Sequence, residues 1–88
     1  MVDIYTNGGP FVFNEEGSPF AESVARCEPG DIPLSGMFGI DTVEGNVLRT
    51  TSSAMLIDET GWKASASGIS DDDRSLRIVA FVRCLDVT

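Results

Sequence analysis

The 88-residue chain contains no histidine. It therefore lacks the side chain that most often acts as a general base near neutral pH and most often ligates metals. Ser-His-Asp and Cys-His arrangements are excluded with it. Basic side chains are few as well: 6 Lys plus Arg face 14 Asp plus Glu, a net charge of −8. A phosphate-backbone binder needs a basic face, so neither nucleic acid nor an anionic membrane surface is an expected partner. Long apolar runs are missing too. The longest, Ile78 to Val82, falls far short of a membrane span, so no membrane insertion is expected. Residues 1–20 hold no Lys or Arg, so no signal or transit peptide is expected in the chain as given. No G-x-x-x-x-G-K-[ST] loop and no G-x-G-x-x-G occurs, which leaves nucleotide phosphates without a cradle.

Apolar residues make up 42% of the chain, the level of a folded domain and too high for intrinsic disorder. Residues 1–88 read as one domain, small enough that a covalent or metal staple is a common supplement to its core. The two cysteines, Cys27 and Cys84, lie 57 positions apart, without the close Cys or His pairs that a metal finger requires. Two readings stay open for them. Joined, they would restrict the unfolded chain by about 4 kcal/mol and place the protein in an oxidising compartment. Unjoined, they would be buried free thiols of a cytosolic protein.

Turn signals recur at short intervals. They include Asn7-Gly8-Gly9-Pro10, Gly17-Ser18-Pro19, Pro29-Gly30-Asp31, Glu44-Gly45-Asn46, Asp58 to Gly61 and Ser70 to Asp73. The short segments between them predict an all-β fold, a small antiparallel β-sandwich of six or seven strands. Period-2 alternation supports this. Trp62, Ala64 and Ala66 alternate with Lys63, Ser65 and Ser67. In the last segment Leu76, Ile78, Ala80, Val82 and Cys84 share one face, while Arg77, Val79, Phe81 and Arg83 share the other. Both faces are apolar in the middle and charged at the ends, the pattern of a central strand covered on both sides. Cys84 then points into the core, and Cys27 falls with Ala21, Ser23 and Ala25, whose small side chains permit close approach. The only arguable helix, Val47 to Ile57, is disfavoured by Thr50-Thr51-Ser52-Ser53.

Candidate chemistry is sparse. A carboxylate pair can hydrolyse a glycosidic bond, but 14 acids make some close pair inevitable. So small a sandwich also rarely encloses a ligand-sized cleft, and no enzymatic activity is expected. Asp71, Asp72 and Asp73 form the candidate metal site, a turn whose hard oxygens suit calcium. Their spacing matches no EF-hand, and a solvated turn beside Arg74 and Arg77 is the simpler reading. Asp58-Glu59 is a lesser candidate of the same kind. Trp62 invites a sugar-stacking role, but its alternation with Ala64 and Ala66 favours the core. Phe11, Phe13 and Phe20 are also assigned to the core, with the corollary that an exposed Phe11 and Phe13 would mark an interface. The charge is uneven, −7 over residues 1–48 and −1 over 49–88.

Two stretches carry a resemblance. One runs Cys27-Glu28-Pro29-Gly30-Asp31 through Gly36-Met37-Phe38. The other is Gly61-Trp62-Lys63-Ala64, followed by the apolar strand ending at Cys84. Together they resemble a family of small secreted, Cys-bracketed β domains found in bacterial and archaeal extracellular proteins. The usual Gly-Gly of that pattern is here Gly36-Met37. The resemblance implies a β-sandwich with Cys27 bonded to Cys84, an extracellular or cell-surface setting, and no catalytic residues. The expected function is a structural or adhesive module, a building block of a surface or filament assembly whose partners are other protein subunits, a surface polymer or further copies of itself. The alternative is a carbohydrate- or calcium-binding module of a secreted or phage surface protein. Residues 1–14, an amino-terminal strand segment preceding the Cys bracket, pair either within the chain or by exchange with a neighbour.

Overall fold

The computed structural model describes residues 3–14, 18–42, 48–68 and 76–87. All regular structure among them is β, in the order β1 (Asp3–Gly8), β2 (Val12–Phe13), β3 (Phe20–Arg26), β4 (Ile32–Thr42), β5 (Leu48–Met55), β6 (Gly61–Gly68) and β7 (Leu76–Asp86). Two antiparallel sheets form the layers of a sandwich. The Thr/Ser-rich segment, arguable as a helix, is strand β5, because β-branched and hydroxyl side chains resist helix and suit an extended backbone.

In the first sheet β7 is central. It pairs with β4 on one side and with β1 and then β2 on the other. β1 and β2 are two stretches of one edge. Gly8 lies opposite Phe81 while Val12 lies opposite Ile78, so the edge gains one residue across Gly9-Pro10-Phe11. In the second sheet β6 is central between β3 and β5.

The alternation in β7 places Leu76, Ile78, Ala80, Val82 and Cys84 inside, all fully buried. They meet Ala21 and Ala25 of β3 and Ala64 and Ala66 of β6. So many alanines bring the layers close together. At Gly9 an added Cβ would lie 2.4 Å from the Val24 carbonyl oxygen, so only glycine fits there. The bulge leaves the Ala80 N–H without an edge-strand acceptor, and the buried Ser23 hydroxyl replaces it. Ser23 accepts from the Ala80 N–H at 3.0 Å and donates to the Pro10 carbonyl at 2.7 Å, linking both sheets. Buried Asn14 serves the end of β7 in the same way, its Oδ1 accepting from the Leu76 N–H at 2.9 Å and its Nδ2 donating to the Ser18 carbonyl at 2.9 Å. Buried polar groups in an alanine-rich interior persist only when paired like this.

Two sequence expectations need correction. Among the described residues only one layer packs on β7, so the face carrying Arg77, Val79, Phe81 and Arg83 is the outer face of its sheet rather than a second covered one. Phe11, Phe13 and Phe20 are exposed rather than in the core. Alanines line much of the space between the sheets, and there Val12 turns inward while its two neighbours turn out. Trp62 faces inward but is only half-buried, its indole resting on Gly36 of β4, where an added Cβ would lie 2.0 Å from the ring. Met37, at the position where the resembling family has a second glycine, points outward and is exposed, so its side chain displaces nothing.

Candidate functional site

Cys27 and Cys84 are joined by a disulfide. Cys27 follows the end of β3 and Cys84 sits in β7, so the bond ties one sheet to the other. It is flanked within the first sheet by Tyr5 and Pro33, both opposite Cys84. The Pro29-Gly30-Asp31 turn, with Gly30 at φ +90°, brings Asp31 back over this end of the sandwich. The Tyr5 hydroxyl donates to Asp31 Oδ2 at 2.5 Å and accepts from the Glu28 N–H at 2.9 Å, while Asp31 Oδ1 accepts from the Val87 N–H at 3.1 Å. Partial burial, and then the bond to Asp31, push the Tyr5 phenol above its ordinary 10.0. One carboxylate thus holds β1, the turn before β4 and the end of β7 around the disulfide.

The acids singled out from the sequence fare differently. Asp71, Asp72 and Asp73 lie outside the described residues. Asp58 already uses both oxygens. Oδ1 accepts from the Thr60 hydroxyl at 2.7 Å and from the Thr60 N–H at 3.2 Å, and Oδ2 accepts from Arg26 at 3.0 Å. The hydroxyl of Thr60, ahead of the guanidinium, holds the Asp58 carboxyl below its usual range. Among the described residues no group of three or more acids or cysteines converges as a metal site. A shallow hollow of 510 Å³ beside the β5–β6 turn is lined by Ala54, Met55, Leu56, Ile57, Asp58 and Lys63. Its one carboxylate is the Asp58 just described.

The feature left over is a surface. The outer face of the first sheet is built from rows three strands wide. At one end Arg77 lies over the rings of Phe11 and Phe13, 4.8 and 5.8 Å from their centroids, and pairs with Asp41 at 2.8 Å. Next comes Val79 beside Gly39. Then Phe81 lies across between Gly8 and Gly39, with Met37 at its side. A polar row of Thr6, Arg83 and Ser35 follows, and then an apolar row of Ile4, Leu85 and Ile32. Phe11 is 60% exposed, Met37 55% and Ile4 53%. Nine residues of β7 at ~3.3 Å and three strands at ~4.8 Å give a footprint on the order of 400 Å². Apolar side chains cover only part of that footprint, since Val79 is buried and the row of Thr6, Arg83 and Ser35 is polar. Its charged side chains are Arg77, Arg83 and Asp41, so the face is mildly positive in a chain of net charge −8.

Fold and face together define a two-layer, disulfide-linked β-sandwich with an apolar outer sheet. Comparison with known proteins gives no matching family model, no matching curated protein and no matching solved structure.

Proposed function

We propose that the protein is a non-enzymatic structural or adhesive module, a building block of an extracellular or cell-surface assembly. The apolar outer face of the first sheet is the observation that carries this reading. Water-exposed Phe11, Phe13, Ile4, Ile32 and Met37 on one sheet face are costly for a free domain and useful to one covered by a neighbouring subunit. The face is mildly positive and the rest of the chain acidic, so an acidic protein surface, such as another copy presents, complements it. A disulfide joining the layers fits an oxidising setting outside the cell. The resemblance to secreted Cys-bracketed domains points the same way.

The test is a charge placed at the centre of the face. Phe81 and Met37 lie side by side there, and Met37→Glu changes the surface without touching the interior. The wild type is expected to assemble or coat a surface in sedimentation and electron microscopy, and Met37→Glu to lose this with its melting temperature retained. Assembly unaffected by Met37→Glu would refute a role for this face. A calcium-dependent rise in melting temperature, or saturable binding of an oligosaccharide, would replace the reading with that of a ligand-binding module.

A further inference from the structure

Each sheet has two edges, and three of the four are covered or blunted. The β1–β2 edge is fastened over β3 by Asn7 Nδ2, which donates to the Arg26 carbonyl at 3.0 Å, and by Ser23 donating to the Pro10 carbonyl. At the β3 edge the Arg26 carbonyl takes the Asn7 bond and Gly9 packs on the Val24 carbonyl. β4 carries Pro33 and a bulge at Leu34, where its register against β7 shifts. Natural edges are protected by such devices: proline, bulges, charges or cover. β5 is different. From Thr50 to Met55 it has no proline, no charge and no bulge, and every residue is exposed.

Hydrogen-bond parity shows what this edge offers. The Leu56 N–H donates to the Gly61 carbonyl at 2.9 Å. In an antiparallel ladder bonded residues alternate, so Ala54, Ser52 and Thr50 bond to β6. Thr51, Ser53 and Met55 consequently turn their N–H and C=O groups outward, to the open side. This set is symmetric about Ser53.

We propose that β5 pairs antiparallel with β5 of a second copy of this chain, across a two-fold axis at Ser53. Ser53 then faces Ser53, and Thr51 of each copy faces Met55 of the other, each pair exchanging both backbone bonds. Two three-stranded sheets become one six-stranded sheet. Charge selects the same edge. Two chains of net charge −8 repel wherever acids meet, yet residues 48–57 contain no Asp or Glu. In this register Arg49, the one cation of the strand, lies beyond the paired residues 51–55, at the opposite end of the contact from the Arg49 of the other copy. A second copy is the chosen occupant because it brings an equally acid-free and regular strand to the contact.

The inference gives the building-block reading one specific contact, and its test is separable from that of the outer face. Sedimentation velocity of the whole disulfide-bonded protein is run from about 10 µM to about 1 mM. A monomer–dimer equilibrium is expected, strengthening with salt as the like charges are screened. Ser53→Pro removes only an outward N–H, leaves the β5–β6 ladder intact, and is expected to weaken the dimer about tenfold or more. Ser53→Cys provides an independent reading. Facing residues of a bonded pair have Cα atoms about 5.5 Å apart, within disulfide reach. Mild oxidation should give a covalent dimer with Cys27–Cys84 retained, whereas Ser52→Cys should give none. A wild type that stays monomeric to about 1 mM would overturn the proposal. So would a dimer equally stable in Ser53→Pro, a result that leaves the outer-face reading standing. A Ser53→Cys protein that cross-links no faster than Ser52→Cys would overturn it too. Capture of an unrelated extended peptide by β5, with no self-association, would replace the second copy as occupant.

Discussion

Ser23→Ala tests the reasoning about the interior most directly. The hydroxyl accepts from the Ala80 N–H at 3.0 Å and donates to the Pro10 carbonyl at 2.7 Å, with Ser23 fully buried and Pro10 exposed. Removing one oxygen leaves almost no cavity, so the packing term is small. The Pro10 carbonyl can recruit water, and its loss costs little. The Ala80 N–H cannot, because Ala80 is wholly buried. An unpaired buried donor costs about 1–3 kcal/mol. We therefore expect about 2 kcal/mol of destabilisation and a melting temperature lower by roughly 8–16 °C for a domain of this size. Against a total stability of about 4–13 kcal/mol the loss is large. Urea unfolding followed through Trp62, the only tryptophan, should show a lower midpoint at unchanged slope. Native-state hydrogen exchange should show faster exchange at the Ala80 amide. Ser35→Ala, on an exposed site of β4, should change stability by less than about 0.5 kcal/mol. If Ser23→Ala matched that control with Ala80 still protected, the account of the bulge would be wrong.

Other perturbations follow from the same geometry. Reducing or replacing the Cys27–Cys84 pair, separated by 57 positions, should remove about 4 kcal/mol, roughly a third or more of the stability of a domain of this size. Thermal unfolding of alkylated protein measures this, and a fall in melting temperature below about 5 °C would contradict it. Gly36→Ala forces a methyl to within 2.0 Å of the Trp62 ring, so a loss of about 1–3 kcal/mol and a shift in tryptophan emission are expected. Tyr5 is the only tyrosine, so ultraviolet absorbance titration reads it alone. Its midpoint should lie above 10.0 in folded protein and return toward that value in urea. Because the folded value is the higher one, the stability this group contributes is complete below about pH 10 and is lost as pH rises through the folded value. A native midpoint at or below the unfolded one would refute the Tyr5–Asp31 bond.

The sandwich rests on two kinds of joint. Covalent and polar links gather at the end where Asp31 holds Tyr5 and Val87 around the disulfide. Ser23 and Asn14 secure the edge strand farther along β7. What remains exposed, the outer face and the β5 edge, is therefore presented on a fixed frame, as a contact surface requires.

Much of this was legible in the chain itself. Period-2 alternation identified β7 as central and sorted its side chains into two faces, because side-chain direction in a strand follows from parity alone. Turn residues marked the strand boundaries, and the missing histidine narrowed the chemistry before any fold was drawn. Parity also grouped Phe11 with Phe13, but it could not say which of the two possible faces was inside. That depended on how the layers pack, a property of Ala21, Ala25, Ala64, Ala66 and Gly9 acting together across the fold. Hydrophobicity argued for the rings inside; the packing of the layers left them in water. The open edge of β5 was equally invisible, since a strand's sequence does not record whether a neighbour lies beside it. Local pattern thus determined the strands and their parity. Only the packing of the two layers decided which apolar side chains were left exposed, because space between layers is shared by residues far apart in the chain.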